Sequence, residues 1–224
     1  MTEPRASTLL LRNIPLFASL SDPQRGLIAQ RLQRSSHARG ATIITAGEPT
    51  GSLHILLSGR AQVVLSDHKG RRVILAMLRA GDYFGEMGLL DDHPRSASVV
   101  AREASDVLTL HKEDFARVLK ENFELAMTVA RGLARRLRQA DNRIGSLALL
   151  DVYGRVAQLL LQEAELVDGV PTVTGRFSKQ DIARMIGASR ERVSRIMKDL
   201  EKRGYIVMTG SVILLLDRNR LSVQ

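Results

Sequence analysis

The stretch Phe177-Ser-Lys-Gln-Asp-Ile-Ala-Arg-Met-Ile-Gly-Ala-Ser-Arg-Glu-Arg-Val-Ser-Arg-Ile-Met-Lys-Asp-Leu200 decides the fold of the C-terminal part of the chain. Its hydrophobic spacing predicts two short amphipathic helices joined by a tight turn at Gly187. The second helix carries an arginine-rich polar face at its N-terminal end. Such a pair is typical of helix-turn-helix proteins, whose second helix enters the major groove of DNA. The stretch therefore predicts a DNA-binding protein.

Capping residues and spacing assign a buried and an outward face to each helix. We expect Ser178 to cap the first helix, with Asp181 completing an acidic variant of the capping box, and Ser189 to cap the second. The buried side of the first helix comprises Ile182, Ala183 and Ile186. The buried side of the second follows the i, i+3, i+4, i+7 spacing of Val193, Ile196, Met197 and Leu200. The outward face of the second helix then holds Arg190, Glu191, Ser194 and Arg195.

This outward face carries side chains that can recognise base edges. Arginine donates two hydrogen bonds to guanine O6 and N7, and a carboxylate accepts one from cytosine N4. The start of the first helix lies where phosphate contacts are expected. The predicted DNA-binding residues are Ser178, Lys179, Gln180, Ser189, Arg190, Glu191, Ser194 and Arg195. The alternative is a solvated, charged helix face without a ligand.

Composition restricts the class of protein. The 224 residues carry a net charge of +9, which favours a polyanionic partner. The absence of cysteine excludes disulfides, cysteine-ligated iron–sulfur clusters and thiol redox sensing. No apolar run approaches the ~18 residues that cross a bilayer, and Thr8–Leu11 is too short for a signal sequence. We therefore expect a cytoplasmic protein with no membrane partner.

The region from about His37 to His111 is rich in β-forming residues. Short runs alternate with turns marked by glycine, which is typical of an antiparallel barrel or jelly roll. The predicted strands are Thr42–Thr45, His54–Leu57, Ala61–Leu65, Arg72–Leu78, Ser96–Ala101 and Asp106–Leu110. Before this region, residues 1–13 are expected to form a frayed tail, and residues 21 to about 33 a helix.

A long helix is predicted from about Phe123 to Leu150, after a shorter one that starts at Lys112. Its apolar residues alternate three and four positions apart, as in a coiled coil. They are Phe123, Ala126, Ala130, Leu133, Leu137, Ala140, Ile144 and Leu147. This narrow seam predicts a symmetric homodimer with Leu133, Leu137, Ala140, Ile144 and Leu147 at its interface. The alternative is a helix packed on its own domain.

Three further elements are expected after the long helix. A helix runs from Asp151 to about Leu166, and a turn spans Val167 to Pro171. A β-hairpin wing pairs Tyr205–Val207 with Val212–Leu215 around residues 209–211.

The sequence Ser189-Arg-Glu-x-Val-x-Arg195 resembles the recognition helix of the cyclic-AMP receptor branch of the CRP/FNR family. The resemblance extends in family order from about Ile14 to the wing. It implies that Arg190, Glu191 and Arg195 bind a TGTGA-type half-site in double-stranded DNA, repeated as an inverted pair. It also implies RNA polymerase as a partner. The implied fold class is α+β: a cyclic-nucleotide-binding β-barrel of jelly-roll type at 14–121, a dimerisation helix at 122–150 and a winged helix-turn-helix domain at 151–224.

A second motif, Gly85-Glu-Met-Gly-Leu-Leu90 followed by Arg95-Ser-Ala97, resembles the phosphate-binding cassette of cyclic-nucleotide domains. Glycines let backbone N–H groups approach a phosphate, while Arg95 and Ser96 supply further donors. Glu86 can accept a hydrogen bond from a ribose hydroxyl. The resemblance implies a ligand site made of Gly85, Glu86, Met87, Arg95, Ser96 and Ala97. The alternative is an empty barrel in which Arg95 only pairs with Glu86.

The dimer helix departs from the family pattern at two positions. Where the cyclic-AMP receptor offers a Thr-Ser pair to the adenine edge, this chain has Ala140 and Asp141. An ionised carboxylate only accepts hydrogen bonds, one from adenine N6 or two from the guanine edge. The departure weakens the case for cyclic AMP as the effector and leaves a guanine ligand, cyclic GMP or cyclic di-GMP, open. A surface ion pair of Asp141 with Arg138 or Arg143 is the alternative.

These features favour a ligand-gated, homodimeric transcription factor. The alternative is a constitutive DNA-binding regulator whose barrel binds no nucleotide. The five histidines, at positions 37, 54, 68, 93 and 111, lack metal-ligand spacing, and no nucleophile–base pair or metal set indicates an enzyme. Asp91-Asp-His93 resembles a metal or acid–base cluster, but its place beside Pro94 favours a loop. We expect no metal, haem or iron–sulfur cofactor.

Overall fold

Two four-stranded antiparallel sheets lie in the N-terminal part of the computed structural model, which describes residues 10–175, 177–210, 212–217 and 221. One sheet has the strand order β1-β8-β3-β6 and the other β2-β7-β4-β5. The strands are β1 Gln33–His37, β2 Thr42–Ile44, β3 Ser52–Ser58, β4 Arg60–Ser66, β5 Arg72–Arg79, β6 Tyr83–Phe84, β7 Ser98–Ala101 and β8 Ser105–His111. The expected jelly roll is confirmed.

The two faces of β3 contribute to different environments because side chains alternate along a strand. Leu53 and Ile55 belong to a core cluster that also contains Phe115 and Leu125 from the helices. His54 pairs in register with Phe84 of β6 and stacks on its ring. Phe84 belongs to a second cluster between the sheets. The register therefore sets His54 beside that second cluster.

Helices cover the first core cluster of this N-terminal unit. A short 3-10 helix spans Pro15–Phe17, and α1 (Asp22–Ala29) begins with a capping box between Ser21 and Gln24. The remaining helices are α2 Met87–Leu90, α3 Lys112–Glu121 and the first half of α4 Phe123–Leu149.

Three expectations for the N-terminal unit are wrong. The first helix ends at Ala29, and the stretch from Gln33 forms β1, whose backbone pairs with β8. The tail prediction fails for residues 10–13 because Leu11 is buried in the core; residues 1–9 lie outside the described part. Strand β7 begins at Ser98 and not at Ser96, because the residues before it belong to the loop that carries Arg95.

After α4, the described residues of the C-terminal unit form three helices and a four-stranded antiparallel sheet of order β11-β12-β10-β9. Its core holds Val156, Ile182, Val193, Leu200 and Ile206, each at most 1% exposed. The elements are α5 Val152–Glu163, β9 Glu165–Val167, β10 Val170–Val173, α6 Lys179–Ile186, α7 Arg190–Lys202, β11 Ile206–Thr209 and β12 Val212–Leu215.

The segment expected to be a helix end and a turn forms a β-hairpin instead. Helix α5 ends at Glu163, short of the expected Leu166, and β9 pairs antiparallel with β10. Only Asp168 and Gly169 form the turn, with positive φ angles of 51° and 79°. This backbone suits the twist of a two-residue hairpin. The expected wing is present as β11 and β12, while Ser211 at its tip lies outside the described residues.

The long helix α4 contains the boundary between the two compact units, at Arg135 and Arg136. The proposed domain bounds 14–121, 122–150 and 151–224 remain a prediction. In the described part of the chain, no helix has the length and apolar character needed to cross a membrane.

Different residues of α4 are buried and exposed. Leu125 and Val129 are buried in the N-terminal core, and Leu133 packs against it while only partly buried. Leu137, Ile144 and Leu147 are 63%, 65% and 56% exposed, and Ala140 is also exposed. The helix thus packs on its own unit through its first half, while the dimer interface remains a prediction.

Gly132 of α4 lies against Tyr83 of β6. A Cβ atom on Gly132 would lie 2.0 Å from the Tyr83 hydroxyl oxygen and 3.2 Å from Cζ. We predict that Gly132→Ala destabilises the protein by about 1–3 kcal/mol through overpacking. Urea unfolding measures this change, and adding Tyr83→Phe should recover part of it because the closest atom is removed.

Gly145 provides the control in the same helix, because, apart from its chain neighbours and the adjoining helix backbone, no atom of the described residues lies within 4 Å of its Cβ position. Gly145→Ala should stabilise the protein by about 0.5–1 kcal/mol through helix propensity. Equal stability of the two alanine variants would contradict the contact.

Candidate functional site

The turn after β6 brings Gly85 against the side chain of Arg95. Gly85 has a φ of +83°, and a Cβ atom there would lie 2.2 Å from Nη1 of Arg95. The loop before β7 is tied to the turn at residues 47–48 by two backbone hydrogen bonds. Gly47 donates to the Arg95 carbonyl at 2.8 Å, and Arg95 donates to the Glu48 carbonyl at 2.9 Å. The positive φ makes glycine the favoured residue at position 85.

Arg95 is a buried cation, only 9% exposed, whose guanidinium is held by backbone oxygens. Nη1 donates to the Gly85 carbonyl at 2.8 Å, and Nη2 donates to the Ser52 carbonyl at 2.7 Å and to Ser52 Oγ at 3.3 Å. Arg95 thus has partners besides Glu86, whereas the empty-barrel alternative gives it Glu86 alone. Burial lowers the pKa of Arg95, while the charges of Glu48 and Glu86 oppose that shift.

Ser52 and His54 are site residues that the sequence analysis missed. His54 Nε2 lies 3.0 Å from Ser52 Oγ and 3.5 Å from Arg95 Nη2, and His54 Nδ1 lies 3.2 Å from Thr109 Oγ1. Burial, followed by the charges of Arg95, His37 and His111, lowers the pKa of His54 to about 4. The sequence shows only that Ser52 and His54 are two residues apart. That spacing does not indicate a contact with Arg95.

The other cassette residues differ in exposure. Glu86 is 1% exposed and Ala97 9%, whereas Met87 is 47% exposed. Ser96 is also exposed, and its Oγ lies 4.0 Å from Met87 Sδ. The structure thus brings Gly85, Glu86, Met87, Arg95, Ser96 and Ala97 together as the sequence predicts. Their roles in binding remain a prediction.

Asp141 lies on the second half of α4 and is exposed. The alternative for Asp141, a surface ion pair with Arg138 or Arg143, remains a prediction. Burial lowers the pKa of Arg143, and the charge of Glu163 opposes this shift.

Local hydrogen bonds shape the helix pair. Ser178 Oγ accepts from the Asp181 amide at 3.1 Å, and Asp181 Oδ2 accepts from the Ser178 amide at 2.9 Å. Gly187 ends α6 with a left-handed φ of 67°. Ser189 Oγ then accepts from the Arg192 amide at 3.2 Å and caps α7. The caps expected from the sequence are therefore present.

The outward face of α7 is as predicted. Arg190, Glu191 and Arg195 are exposed, and Ser194 is partly buried. Val193, Met197 and Leu200 are buried, whereas Ile196 is only partly buried because it lies at the edge of the packed face. At the start of α6, Ser178 and Gln180 are exposed and Lys179 is partly buried. DNA contacts by these side chains remain a prediction.

Residues 91–93 form a loop after α2. His93 Nδ1 lies 2.7 Å from the Asp91 carbonyl, and Asp92 forms an ion pair with Lys112. Among the residues that the structure describes, no cluster of three or more His, Cys, Asp or Glu side chains could hold a metal ion.

Known protein families match the N-terminal and the C-terminal part of the chain separately. A family model of the cyclic nucleotide-binding domain matches residues 34–122, and one of the Crp-like helix-turn-helix domain matches residues 154–223. The chain is 35% identical over 178 residues to the cAMP-activated global transcriptional regulator CRP of Salmonella typhimurium, covering 78% of this chain and 85% of the relative.

Two further proteins support this similarity. The CRP-like cAMP-activated global transcriptional regulator of Mycobacterium tuberculosis is 30% identical over 217 residues, covering 95% of this chain and 97% of the relative. The solved structure of the c-di-GMP responsive global regulator CLP of Xanthomonas campestris has a similar fold, with a TM-score of 0.71 at 22% identity. That match covers 84% of this chain and 95% of CLP.

The buried imidazole predicts a pH-dependent stability. The folded pKa of His54 is about 4, below the ordinary 6.5, so between these values the unfolded chain binds a proton that the folded chain does not. This contribution to stability is complete above about pH 6.5 and decreases by about 3 kcal/mol as the pH falls to 4. His54→Phe should remove this part of the dependence of the free energy of unfolding on pH.

Urea unfolding of both proteins at pH 7.0, 5.5 and 4.5 measures the difference. Carboxylates whose pKa values are lowered by hydrogen bonds, such as Asp67 and Asp106, are common to both proteins. Parallel pH profiles of the two proteins would contradict the shifted imidazole.

Proposed function

Because this chain belongs to the CRP/FNR family of transcriptional regulators, we propose that it is a homodimeric DNA-binding regulator gated by a cyclic nucleotide. The observation that carries the proposal is the arrangement of Gly85, Arg95 and Ser96 in the cassette. A buried guanidinium lies beside a glycine turn and an exposed hydroxyl. We propose a regulatory role for the chain and no catalytic one.

We propose that the cassette binds the ribose and the cyclic phosphate. Arg95 has five N–H donors, and its hydrogen bonds to Gly85 and Ser52 use at most three. Further donors can serve a phosphate, which attracts arginine by charge and by fork geometry. The exposed Ser96 hydroxyl adds a donor, and Glu86 supplies an acceptor for ribose.

Two observations bear on the identity of the nucleotide. Both curated relatives described above are cAMP-activated, which supports cyclic AMP as the effector. Ala140 and Asp141 depart from the family pattern, and a carboxylate can accept both N–H groups of a guanine edge. We therefore propose a cyclic purine nucleotide, and a panel of cyclic AMP, cyclic GMP and cyclic di-GMP ranks the bases.

We propose that two copies of the chain pair through α4 and bind a TGTGA-type inverted repeat. Leu137, Ile144 and Leu147 share one stripe and are more than half exposed in the single chain, so pairing would remove apolar surface from water. A two-fold dimer presents two copies of α7, which matches an inverted repeat. Exposed Arg190, Glu191 and Arg195 would contact base edges, and RNA polymerase is the proposed further partner.

Gating requires that the nucleotide bind one arrangement of the DNA-binding units better than another. A ligand shifts an equilibrium only by its difference in affinity for the two states, and the coupling is reciprocal. The operator DNA should therefore tighten nucleotide binding by the same factor by which the nucleotide tightens DNA binding.

Replacing the central arginine tests the cassette. Arg95→Leu should abolish binding of each nucleotide in the panel, because the cation and its N–H donors are lost. Titration calorimetry measures this, with Arg71→Leu as the control, since Arg71 is an arginine whose side chain is 80% exposed on the β4–β5 turn. Unchanged affinity of Arg95→Leu would reject the cassette, and no binding by the native protein at millimolar nucleotide would reject gating.

Replacing one arginine of α7 tests the DNA interface. Arg190→Ala should weaken binding to the inverted repeat by about 1–3 kcal/mol and relax the preference at one guanine of each half-site. Gel-shift assays on the native repeat, on repeats with that guanine changed and on a single half-site measure both effects.

Lys202→Ala, at the opposite end of α7, is the control and should leave base preference unchanged. Uniform weakening of Arg190→Ala on all sequences would contradict base contact. Equal affinity of the native protein for one half-site and for the inverted repeat would contradict binding as a dimer.

A further inference from the structure

The interior side of the Arg95 guanidinium is lined by hydrogen-bonding groups of β3. Nη2 donates to the Ser52 carbonyl at 2.7 Å, and it also lies 3.3 Å from Ser52 Oγ and 3.5 Å from His54 Nε2. Ser52 and His54 are two residues apart on β3, so their side chains point to the same face of the sheet. The side chains of Ser52 and His54 therefore both contact the guanidinium of Arg95.

The protonation pattern of His54 follows from its partners. A guanidinium has only N–H donors, so the contact between Arg95 Nη2 and His54 Nε2 is attractive only when that ring nitrogen is an acceptor without a proton. In a neutral imidazole the proton then lies on Nδ1, which donates to Thr109 Oγ1 at 3.2 Å. The single lone pair of Nε2 is shared between two donors, the Ser52 hydroxyl at 3.0 Å and Arg95 Nη2 at 3.5 Å.

Stacking fixes the plane of the imidazole ring. The ring stacks on Phe84 of β6 with centroids 5.4 Å apart and an interplanar angle of 16°. The β-sheet register sets His54 opposite Phe84 on one side and Thr109 on the other. Flipping the ring within this stack would turn Nε2 away from Ser52 and Arg95.

The charged and titratable neighbours all favour a neutral His54. Arg95 approaches from the cassette loop, His37 lies on β1 and His111 at the end of β8, and each lowers the pKa of His54. The acidic groups Glu48 and Glu86 act on Arg95, whose pKa they raise. A protonated imidazole would add a second positive charge beside Arg95 and would replace the acceptor with a donor.

We infer that His54, neutral and protonated on Nδ1, is a positioning residue that holds the guanidinium of Arg95 in the orientation that binds the anionic group of the ligand. The inference rests on the proposed function, because the ligand is the cyclic phosphate. His54 acts through Arg95 and does not touch the nucleotide. Together with Ser52 it orders the arginine before the ligand arrives, which reduces the entropic cost of binding.

Paired substitutions at position 54 separate this role from packing. His54→Phe keeps the aromatic ring on Phe84 but removes both nitrogens, and it should weaken cyclic-nucleotide binding about tenfold through loss of a hydrogen bond to a charged group. His54→Gln restores an acceptor oxygen and should bind within about threefold of the native protein. His68→Gln, at an exposed position on the β4–β5 turn, is the control.

Titration calorimetry with cyclic AMP and cyclic GMP measures these affinities, and circular dichroism verifies that each variant is folded. A folded His54→Phe protein with native affinity overturns the inference. Weakening by His54→Gln as severe as that by His54→Phe also overturns it, because the acceptor would then be irrelevant.

Nitrogen-15 spectra of the ligand-free protein provide a second test that does not depend on the nucleotide. At pH 7 the His54 ring should carry its proton on Nδ1, which is the minor tautomer of a free histidine side chain in water. Arg95→Leu should raise the pKa of His54, because a neighbouring positive charge is removed. A proton on Nε2, or a titration unaffected by Arg95→Leu, overturns the inference.

The two proposals can fail separately. If the native protein binds no cyclic nucleotide, the proposed function is rejected, and the nitrogen-15 titration alone decides whether His54 holds Arg95. If the nucleotide binds but the substitutions at His54 have no effect, the proposed function stands and the positioning role is rejected.

Discussion

The burial of the Arg95 guanidinium is the constraint on which the cassette depends. Removing a guanidinium from water costs several kcal/mol unless hydrogen bonds and nearby charges compensate. Here the carbonyls of Gly85 and Ser52 accept hydrogen bonds, and the carboxylates of Glu48 and Glu86 oppose the desolvation. The positive φ of Gly85 and the attachment of the arginine loop to residues 47–48 support this arrangement. The geometry of the cassette is thus set by the groups that compensate the buried charge of Arg95.

The parts of the fold that depend on local chemistry could be predicted from the sequence. The caps at Ser178 and Ser189 and the turn at Gly187 use hydrogen bonds within four residues, so residue type and spacing suffice. The Gly85–Ala97 motif is similarly local. Gly85 and Arg95 are only ten residues apart, connected by α2 and the loop that follows it, so their proximity is already indicated by the sequence.

The parts that failed depend on partners distant in the chain. Strand β1 is almost fully exposed and has no hydrophobic alternation, so only its pairing with β8, about 70 residues later, defines it. The β9–β10 hairpin contains Pro171, which suggested a turn, but positive φ angles at Asp168 and Gly169 close it earlier. His54 meets Arg95 across 41 residues through sheet register, which a single sequence does not reveal.

The long helix α4 illustrates a different limit. A heptad pattern identifies apolar positions, but it does not say which of them pack within the chain. Leu125 and Val129 are buried in the N-terminal core, whereas Leu137 and Ile144 are exposed along the predicted seam. The apolar residues of α4 therefore form two sets, one buried within the chain and one exposed. Only the structure shows which residue belongs to which set.

The contact between Gly132 and Tyr83 connects this helix to the cassette over a short stretch of chain. Tyr83 lies two residues before Gly85, whose carbonyl accepts the hydrogen bond from Arg95. Under the proposed function, a phosphate that alters the hydrogen bonds of Arg95 acts on the end of β6. Because the tyrosine hydroxyl lies against Gly132 of α4, we expect a shift of that strand to be transmitted to the helix. The glycine has a cost in helix propensity, and in return it permits the close approach on which such coupling depends.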